Sequence, residues 1–561
     1  MIARRPSRTS TKLCATAVTA FLVASALVLL AGRTEAQIAP SNDAFSAAST
    51  LNVPFPTTGQ AATVTGNSSG ATMEAGEPRP YHPDRDCDGS GVDSSVWYKI
   101  SPVRDGTLTL TTEGSSFDTV LALYRGTSLS SLTQSNCSNA NNAANRTERM
   151  STAVKTGRTY YVQLLGTGTT RSGEYKLGAS LKFFGPGNWP SSIWRPFADS
   201  SPFNKRLPAS PKLADNSDKI VNRIINTPSN GGIAPTDRPA HLVVHTNGSS
   251  GEPTYYSRPT DPLFTLHCTY NKQWGVCPLE GKQVRIPVGA RVEGDKAAED
   301  TSLSGEYWTQ PDAHLTIVDQ TDAKVYELWQ VHTNPIPAQG GHLYFSWGGL
   351  SSFNGNGLAS DELKKDTNGN PVPGAVVGDA TAARTSSLAG RIRAEEFAAG
   401  NINHAIAIGF NCDNGRYVYP ARKSGRPCTK LGLSNTDAPP LGTRIQLNMS
   451  ASQIDALPVP EWKKTLLRAL REYGGIAVDT GSPGIFVMET ESGNQYTSMG
   501  YSSKWNAFAA SNGWPLMQPD SGYPYERYHG EMGRYADGID WKTQVWSKLR
   551  VIDPCVSQGT C

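Results

Sequence analysis

At 561 residues the chain is too long for one ordinary hydrophobic core, so two or three domains are expected. Lys and Arg (52) nearly balance Asp and Glu (49), and no basic run of the phosphate-gripping kind occurs, so nucleic acid is excluded as an expected partner. Abundant Gly and Pro (54 and 38) with only 18% charged residues suit a turn-rich β protein.

The N-terminus reads as a processing signal. Arg4, Arg5, Arg8 and Lys12 precede an apolar run from Ala15 to Leu30, and Thr34-Glu35-Ala36 offers a small residue at both positions a signal peptidase reads. Residues 1–36 are therefore expected to be a signal peptide, and the product to be secreted and extracellular. A membrane anchor is the competing reading, but the run is short for a spanning helix, and no membrane association is expected after cleavage. Once Cys14 leaves with the signal, eight cysteines remain, and their spacing suggests the neighbour pairs 87–137, 268–277, 412–428 and 555–561. No CxxC pair exists, so structural disulfides are expected rather than zinc or thiol chemistry.

Residues 46–183 are rich in Ser, Thr and Gly, with alternating strands at SSVWYKI, GTLTLTT, DTVLALYR, TYYVQLLG and GEYKLGASL. Turn signals between them predict a small antiparallel β-sandwich. Val96-Trp97-Tyr98-Lys99, Phe117-Asp118-Thr119 with Leu121 and Tyr124, Tyr160-Tyr161-Val162-Gln163 and Gly173-Glu174-Tyr175 resemble the bacterial pre-peptidase C-terminal (PPC) domain. That resemblance implies a non-catalytic accessory module of secreted hydrolases, peptidases included. Such modules usually follow the catalytic domain, whereas this one precedes the rest. Asp84, Asp86 and Asp88 before Gly89 look like the start of a calcium loop, but the twelfth position is Ser95 and Cys87 interrupts the run. A solvated turn is preferred, structural calcium is the competing reading, and no other metal or cofactor is expected.

Residues 184–197 (FGPGNWPSSIWRPF) read as a linker, 198–553 as a β-rich catalytic domain, and 554–561 as a disulfide-closed tail. After strands at AHLVVHT, PTYYSRP, LFTLHCTY and KQVRIPV comes the stretch densest in reactive side chains, 312–347. LTIV and VYELWQV alternate around a polar DQTDAK turn and predict a hairpin. With Val318 opposite Val325, Thr316 opposes Glu327 and His314 opposes Trp329, so these four share one face. A Gly/Asn/Asp-rich loop follows, a candidate cleft wall, in which Asp366, Asn368 and Asn370 only weakly resemble a calcium loop.

SLAGRIRAEEFAAG (387–400) reads as a short helix, and NINHAIAIGF as a strand placing His404, Ile406 and Ile408 on one face. RYVYPAR and TRIQLNM continue the β pattern. Trp462, Leu466, Ala469, Leu470 and Tyr473 recur at helical spacing between Pro460 and Gly474, which suit a helix start and a C-terminal cap. GIAVDTG and GIFVMET are then a strand pair. The fold class expected is mainly β: an N-terminal β-sandwich module, then a larger β-sandwich-like domain with a few peripheral helices. The order DAHLTIVD, VYELWQ, GHLYFSWGG, INHAIAI, PPLGTRIQLN and LLRALREYGGIAVDTG is similar to a broad group of secreted microbial proteins, mostly uncharacterised. That likeness, over 190–495, implies one domain and supplies no catalytic residue.

HExxH and the phosphate loop GxxxxGK[ST] are absent, no G-x-G-x-x-G follows a strand, and GNSSG at 66–70, which fits GxSxG, puts its Ser68 in the accessory module, so no nucleophile motif is read. Three chemistries remain for the His and carboxylate set. Asp312 and Glu327 suit the acid and base, or nucleophile, of a glycoside hydrolase. His314 or His404 suits proton abstraction from a uronic acid, with Arg384, Arg391 or Arg393 neutralising its carboxylate and Tyr326 or Tyr344 protonating the leaving oxygen. His314, Glu327 and His404 also have the makings of a two-His-one-carboxylate metal site. The plain alternative is that both histidines are hydrogen-bonded strand residues. Trp329, Tyr344 and Trp347 suit sugar stacking or an ordinary core. The expectation is a secreted, monomeric enzyme cleaving glycosidic bonds of an extracellular polysaccharide, with hydrolysis ahead of elimination. A non-catalytic carbohydrate- or surface-binding protein is the competing class, and a peptidase comes third.

Overall fold

The computed structural model describes residues 38–561 apart from 55–60, 82–86, 88–90, 140–146, 170, 227–239, 246–250, 275, 359–362, 366–370, 377–380, 482–484, 519–526 and 533–537. The run expected to be a signal peptide and both calcium-like runs, including Asp84, Asp86, Asp88, Asp366, Asn368 and Asn370, lie outside the described residues.

Nine strands build the N-terminal module: β1 (Ser49–Thr50), β2 (Ala62–Asn67), β3 (Ser95–Ile100), β4 (Gly106–Thr111), β5 (Thr119–Arg125), β6 (Thr133–Ser138), β7 (Arg149–Val154), β8 (Tyr160–Gly166) and β9 (Glu174–Lys182). They form two sheets, ordered β1-β3-β8-β5-β6 and β2-β9-β4-β7. Alternation sends Val96, Tyr98, Leu108, Leu110, Leu121, Leu123, Val162, Leu164 and Leu177 into one shared core, the sandwich that the alternating pattern predicts. All four expected disulfides form, with Cα–Cα distances of 5.9, 6.3, 4.9 and 5.4 Å.

The 184–197 segment is more than a connector. Phe184, Trp194 and Phe197 are buried in the main core of the second region. Trp194 Nε1 donates to Asp105 Oδ2 of the sandwich at 2.8 Å, and Lys155 Nζ donates to the carbonyls of Arg195 (3.0 Å) and Phe197. The segment's aromatic content explains its burial: left in water, Phe and Trp side chains of this size would cost about 2–3 kcal/mol each.

The second region carries β10 (Ala240–His245), β11 (Thr254–Ser257), β12 (Leu263–Cys268), β13 (Gln283–Arg285), β14 (Leu315–Asp319), β15 (Lys324–Val331), β16 (Gly341–Ser352), β17 (Leu363–Lys365), β18 (Pro371–Val376), β19 (Ile406–Phe410), β20 (Arg444–Leu447), β21 (Gly475–Thr480), β22 (Val487–Met488), β23 (Leu516–Met517), β24 (Arg527–Met532) and β25 (Leu549–Ile552). A six-stranded sheet runs β11-β14-β15-β16-β12-β13, and an eight-stranded sheet runs β23-β24-β10-β22-β19-β21-β20-β25. One face of the six-stranded sheet carries Leu315, Ile317, Tyr326, Leu328 and Phe345 into a satellite core. The other sends Tyr256, Val318, Val325 and Phe353 into the main core shared with the eight-stranded sheet. Helices α1 (Ser217–Asn226), α2 (Ala394–Ala398), α3 (Ala451–Asp455) and α4 (Glu461–Glu472) accompany these sheets. In α4 the expected stripe holds, with Trp462, Leu466, Ala469 and Leu470 buried and Gly474 in the left-handed conformation just past the helix end.

The hairpin register is the one read from the sequence: Val318 pairs with Val325 and Thr316 with Glu327. Three local expectations differ. The 387–400 helix shrinks to α2, because Gly390 at φ 81° ends a turn over 387–390 and an Ile392–Thr490 bridge delays the helix to Ala394. RYVYPAR forms turns, not a strand. GIAVDTG and GIFVMET do not pair with each other; β21 and β22 instead flank β19.

Candidate functional site

The hairpin face predicted to be reactive meets the 386–393 segment, a turn over 387–390 followed by a bridge at Ile392. There the buried side chain of Arg391 forms an ion pair with Glu252 and also donates to Thr254 Oγ1 (3.0 Å), Thr316 Oγ1 (3.3 Å) and Ser387 Oγ (2.6 Å). Ser387 Oγ donates to Glu252 Oε2 (2.7 Å) or to Glu327 Oε1 (2.8 Å), the two acceptors it stands between. Glu327 is fully buried, and the same oxygen also accepts from Ser386 Oγ and Leu388 N, each at 2.8 Å. Burial raises the Glu327 carboxyl above its ordinary range, against the pull of Arg391. Glu327 is thus an anchor under the site and not a group that meets solvent.

His314 stands beside this network. Its Nδ1 lies 2.5 Å from Glu293 Oε2, and its side chain is 17% exposed. Burial disfavours its charge, but Glu252 and Glu293 outweigh that and raise it to about 10. It is an imidazolium at neutral pH and a poor proton abstractor. Burial pushes Glu252 up, yet Arg391 and His314 pull it below its usual value, so it is a firm carboxylate.

Two further acids complete the cluster. Asp479 on β21 pairs with Gly409 of β19, and Glu489, just past β22, donates its backbone N–H to Ala407 O at 3.0 Å. Paired residues share a sheet face, so both acids lie on one face with only small Ala407 and Gly409 between them. One strand separates their backbones, about 9–10 Å across. Burial raises Asp479 to about 6, with Asp312 and Glu252 adding to the rise against Thr480 N–H and His314. Burial, Glu252 and Asp479 raise Glu489 to about 8. Both are half-buried. Glu489 thus holds its proton more tightly than Asp479.

Of the residues predicted from sequence, His314, Glu327, Arg391 and Asp312 come together. Asp312 is exposed, acts electrostatically on His314 and Asp479, and accepts from Trp329 Nε1 at 2.9 Å. Trp329 does not share the His314–Glu327 face. Ala313 (φ 41°) and Gln330 (φ 52°) break the ladder beyond Leu315–Leu328, and Trp329 turns onto Trp274, stacked at 5.8 Å. Tyr307 packs edge-on to Trp329 and to Trp308, which is 69% exposed. Trp347 is buried in the same aromatic group, and Tyr344 is exposed on the opposite face of β16.

His404 goes elsewhere. It precedes β19, its Nε2 lies 3.1 Å from Glu396 Oε1, and its Nδ1 faces Ala405 O at 2.9 Å. Arg393, also buried, pairs with Glu396 and donates to Trp194 O. The two close-set arginines therefore serve two separate ion clusters. Among the described residues no group of three or more His, Cys, Asp and Glu side chains has the arrangement to hold a metal ion. Glu252, Glu293, Ser387, Asp479 and Glu489 are not among the residues expected from sequence. The available signal was acids inside otherwise apolar strands, VDTG and FVMETES.

No protein-family model matches the chain, and no curated protein matches it. Solved structures similar to part of it include the pre-peptidase C-terminal domain of a Bacillus anthracis collagenase (11% identity, TM-score 0.15, covering 24% of this chain and 94% of that one). The periplasmic g-type lysozyme inhibitor PliG of Aeromonas hydrophila (12% identity, TM-score 0.16, 24% and 96%) and the Yersinia pseudotuberculosis-derived mitogen (13%, 0.14, 22% and 86%) are others. Likenesses at these scores carry no argument about family or activity. Among the described residues no helix is long and apolar enough to cross a membrane.

Proposed function

We propose that the chain is a secreted enzyme that hydrolyses glycosidic bonds of an extracellular polysaccharide, with Glu489 as proton donor and Asp479 as base. The observation that carries this reading is the split in proton affinity between two half-buried acids on one sheet face, about 8 against about 6. A glycosidase needs that division of labour: one carboxylic acid to protonate the leaving oxygen and one carboxylate to activate water. Trp308 and Trp329, next to Asp312, supply a stacking surface for a sugar ring. Arg391 holds Glu252 in the ionised state that keeps Glu489 protonated.

Elimination from a uronic polymer is disfavoured. Arg391 and Arg393 are 1% and 2% exposed and already paired with Glu252 and Glu396, so neither meets a substrate carboxylate. The cluster of carboxyls favours a neutral or cationic polymer over an anionic one.

The test is release of reducing ends from a panel of neutral, cationic and uronic polysaccharides, with Glu489→Gln and Asp479→Asn run beside the unmodified protein. Activity on one polymer, reduced about 10²–10⁴-fold by each substitution, is expected. No new reducing ends on any polymer sinks the proposal, and unsaturated, ultraviolet-absorbing products would replace it with elimination.

A further inference from the structure

A second set of side chains, on the six-stranded sheet, has no part in the acid cluster. Strands β12 and β16 run parallel, with Thr265 opposite His342 and His267 opposite Tyr344. His267 and His342 are therefore diagonal neighbours, on the face opposite Leu266, Leu343 and Phe345, which are buried in the satellite core. His267 Nε2 lies 2.8 Å from His342 Nδ1, and His267 Nδ1 lies 3.2 Å from Glu280 Oε1. The other Glu280 oxygen accepts the Cys268 backbone N–H at 2.7 Å, which fixes the carboxylate. Tyr344 stacks on the His267 ring at 4.9 Å and 25°, which limits its tilt.

These contacts set the tautomers. An ionised carboxylate only accepts, so His267 carries its proton on Nδ1 and turns a bare lone pair at Nε2 toward His342. His342 donates its Nδ1–H to that lone pair. A single proton thus sits between two imidazole nitrogens whose separation is close to the roughly 3 Å spanned by adjacent ligands at bond lengths of about 2.1 Å. A carboxylate on the far nitrogen is also the usual support for a metal-binding histidine.

We propose that His267 and His342 bind one divalent transition-metal ion of the copper and zinc class, with Glu280 as the orienting carboxylate and water completing the shell. On binding, the His342 Nδ1–H bond breaks while solvent returns a proton to Nε2, so the ring stays neutral and the His342 Nδ1 and His267 Nε2 lone pairs coordinate the ion. No redox change is involved. Only small ring rotations are needed, and His342 is exposed and free to make one.

Cu(II) is the most discriminating probe, because it binds nitrogen donors tightest in the divalent series. The full secreted chain is titrated with Cu(II) by calorimetry in two buffers of different ionisation enthalpy, with electron paramagnetic resonance of the one-equivalent sample. Expected are one tight equivalent, the same binding heat in both buffers because no net proton is released, and hyperfine splitting from two nitrogens. His342→Ala, at an exposed position, should abolish that equivalent, and Glu280→Gln should weaken it about 10–100-fold. Identical titrations for the unmodified protein and His342→Ala would overturn the proposal, as would absence of any equivalent tighter than those the His342→Ala chain retains.

Discussion

Glu489 carries the sharpest residue-scale consequence. Its carboxyl is raised to about 8 from an ordinary 4.5, so the folded state resists its ionisation. As pH rises above about 4.5 the unfolded chain loses this proton and the folded chain does not, so stability falls until the folded group titrates near 8. Glu489→Gln removes the penalty. It should raise Tm at pH 8 by about 2–4 °C while abolishing polysaccharide cleavage, and the Tm gain should vanish near pH 4, measured by scanning calorimetry. His314 has the same sign in a higher pH window. Its pKa of about 10 contributes stability that is complete below about 6.5 and lost as pH passes 10. Arg391→Met would leave Glu252 and Glu327 buried without their cation. A loss of about 3–5 kcal/mol is expected in denaturant melts, far more than an exposed ion pair such as Arg171–Asp93 supplies.

The element that positions the site is the 386–393 segment, with its turn at 387–390. Gly390 holds φ 81°, and a Cβ there would lie 2.7 Å from both Ala405 O and Ala407 N. Those atoms are backbone and cannot swing aside. Gly390→Ala should cost about 1–3 kcal/mol and displace Arg391 from Glu252, read as lower Tm together with lost activity. Helix α4 responds differently. Leu466→Ala leaves a cavity remote from Arg391, so about 2–5 kcal/mol of stability should go while the folded fraction keeps its specific activity.

At the scale of the molecule, Trp194 ties sandwich to second region. It donates to Asp105, stacks on Phe353 at 5.6 Å, and lies under Arg393 at 5.1 Å. Trp194→Ala should lower stability by about 3–5 kcal/mol and split one thermal transition into two, because the sandwich keeps its own core while the second region loses a wall. Trp194→Phe, which keeps most of the apolar volume but not the hydrogen bond, should lose less and stay single.

Much of the architecture follows from the chain alone. Strict alternation specifies the sandwich strands and the β14/β15 register, since a slip by one residue would turn Leu315 and Ile317 out of their core. Proximity in sequence suffices for the disulfides, because short loops close at the least entropic cost. Helical spacing suffices for α4. The functional residues divide along the same line. Thr316 and Glu327 were placed on one face by local periodicity. Glu252, just before β11, is far in sequence from Asp479 and Glu489, and only the order β22-β19-β21 puts the last two on one sheet face. Trp329 and His404 left the expected site for reasons that local pattern does not carry: a ladder broken at Ala313 and Gln330, and a buried Glu396 that claims the imidazole. Periodicity tells a side chain which face to take. Which other face it meets, and how far burial then shifts its proton, is decided by long-range packing of the sheets.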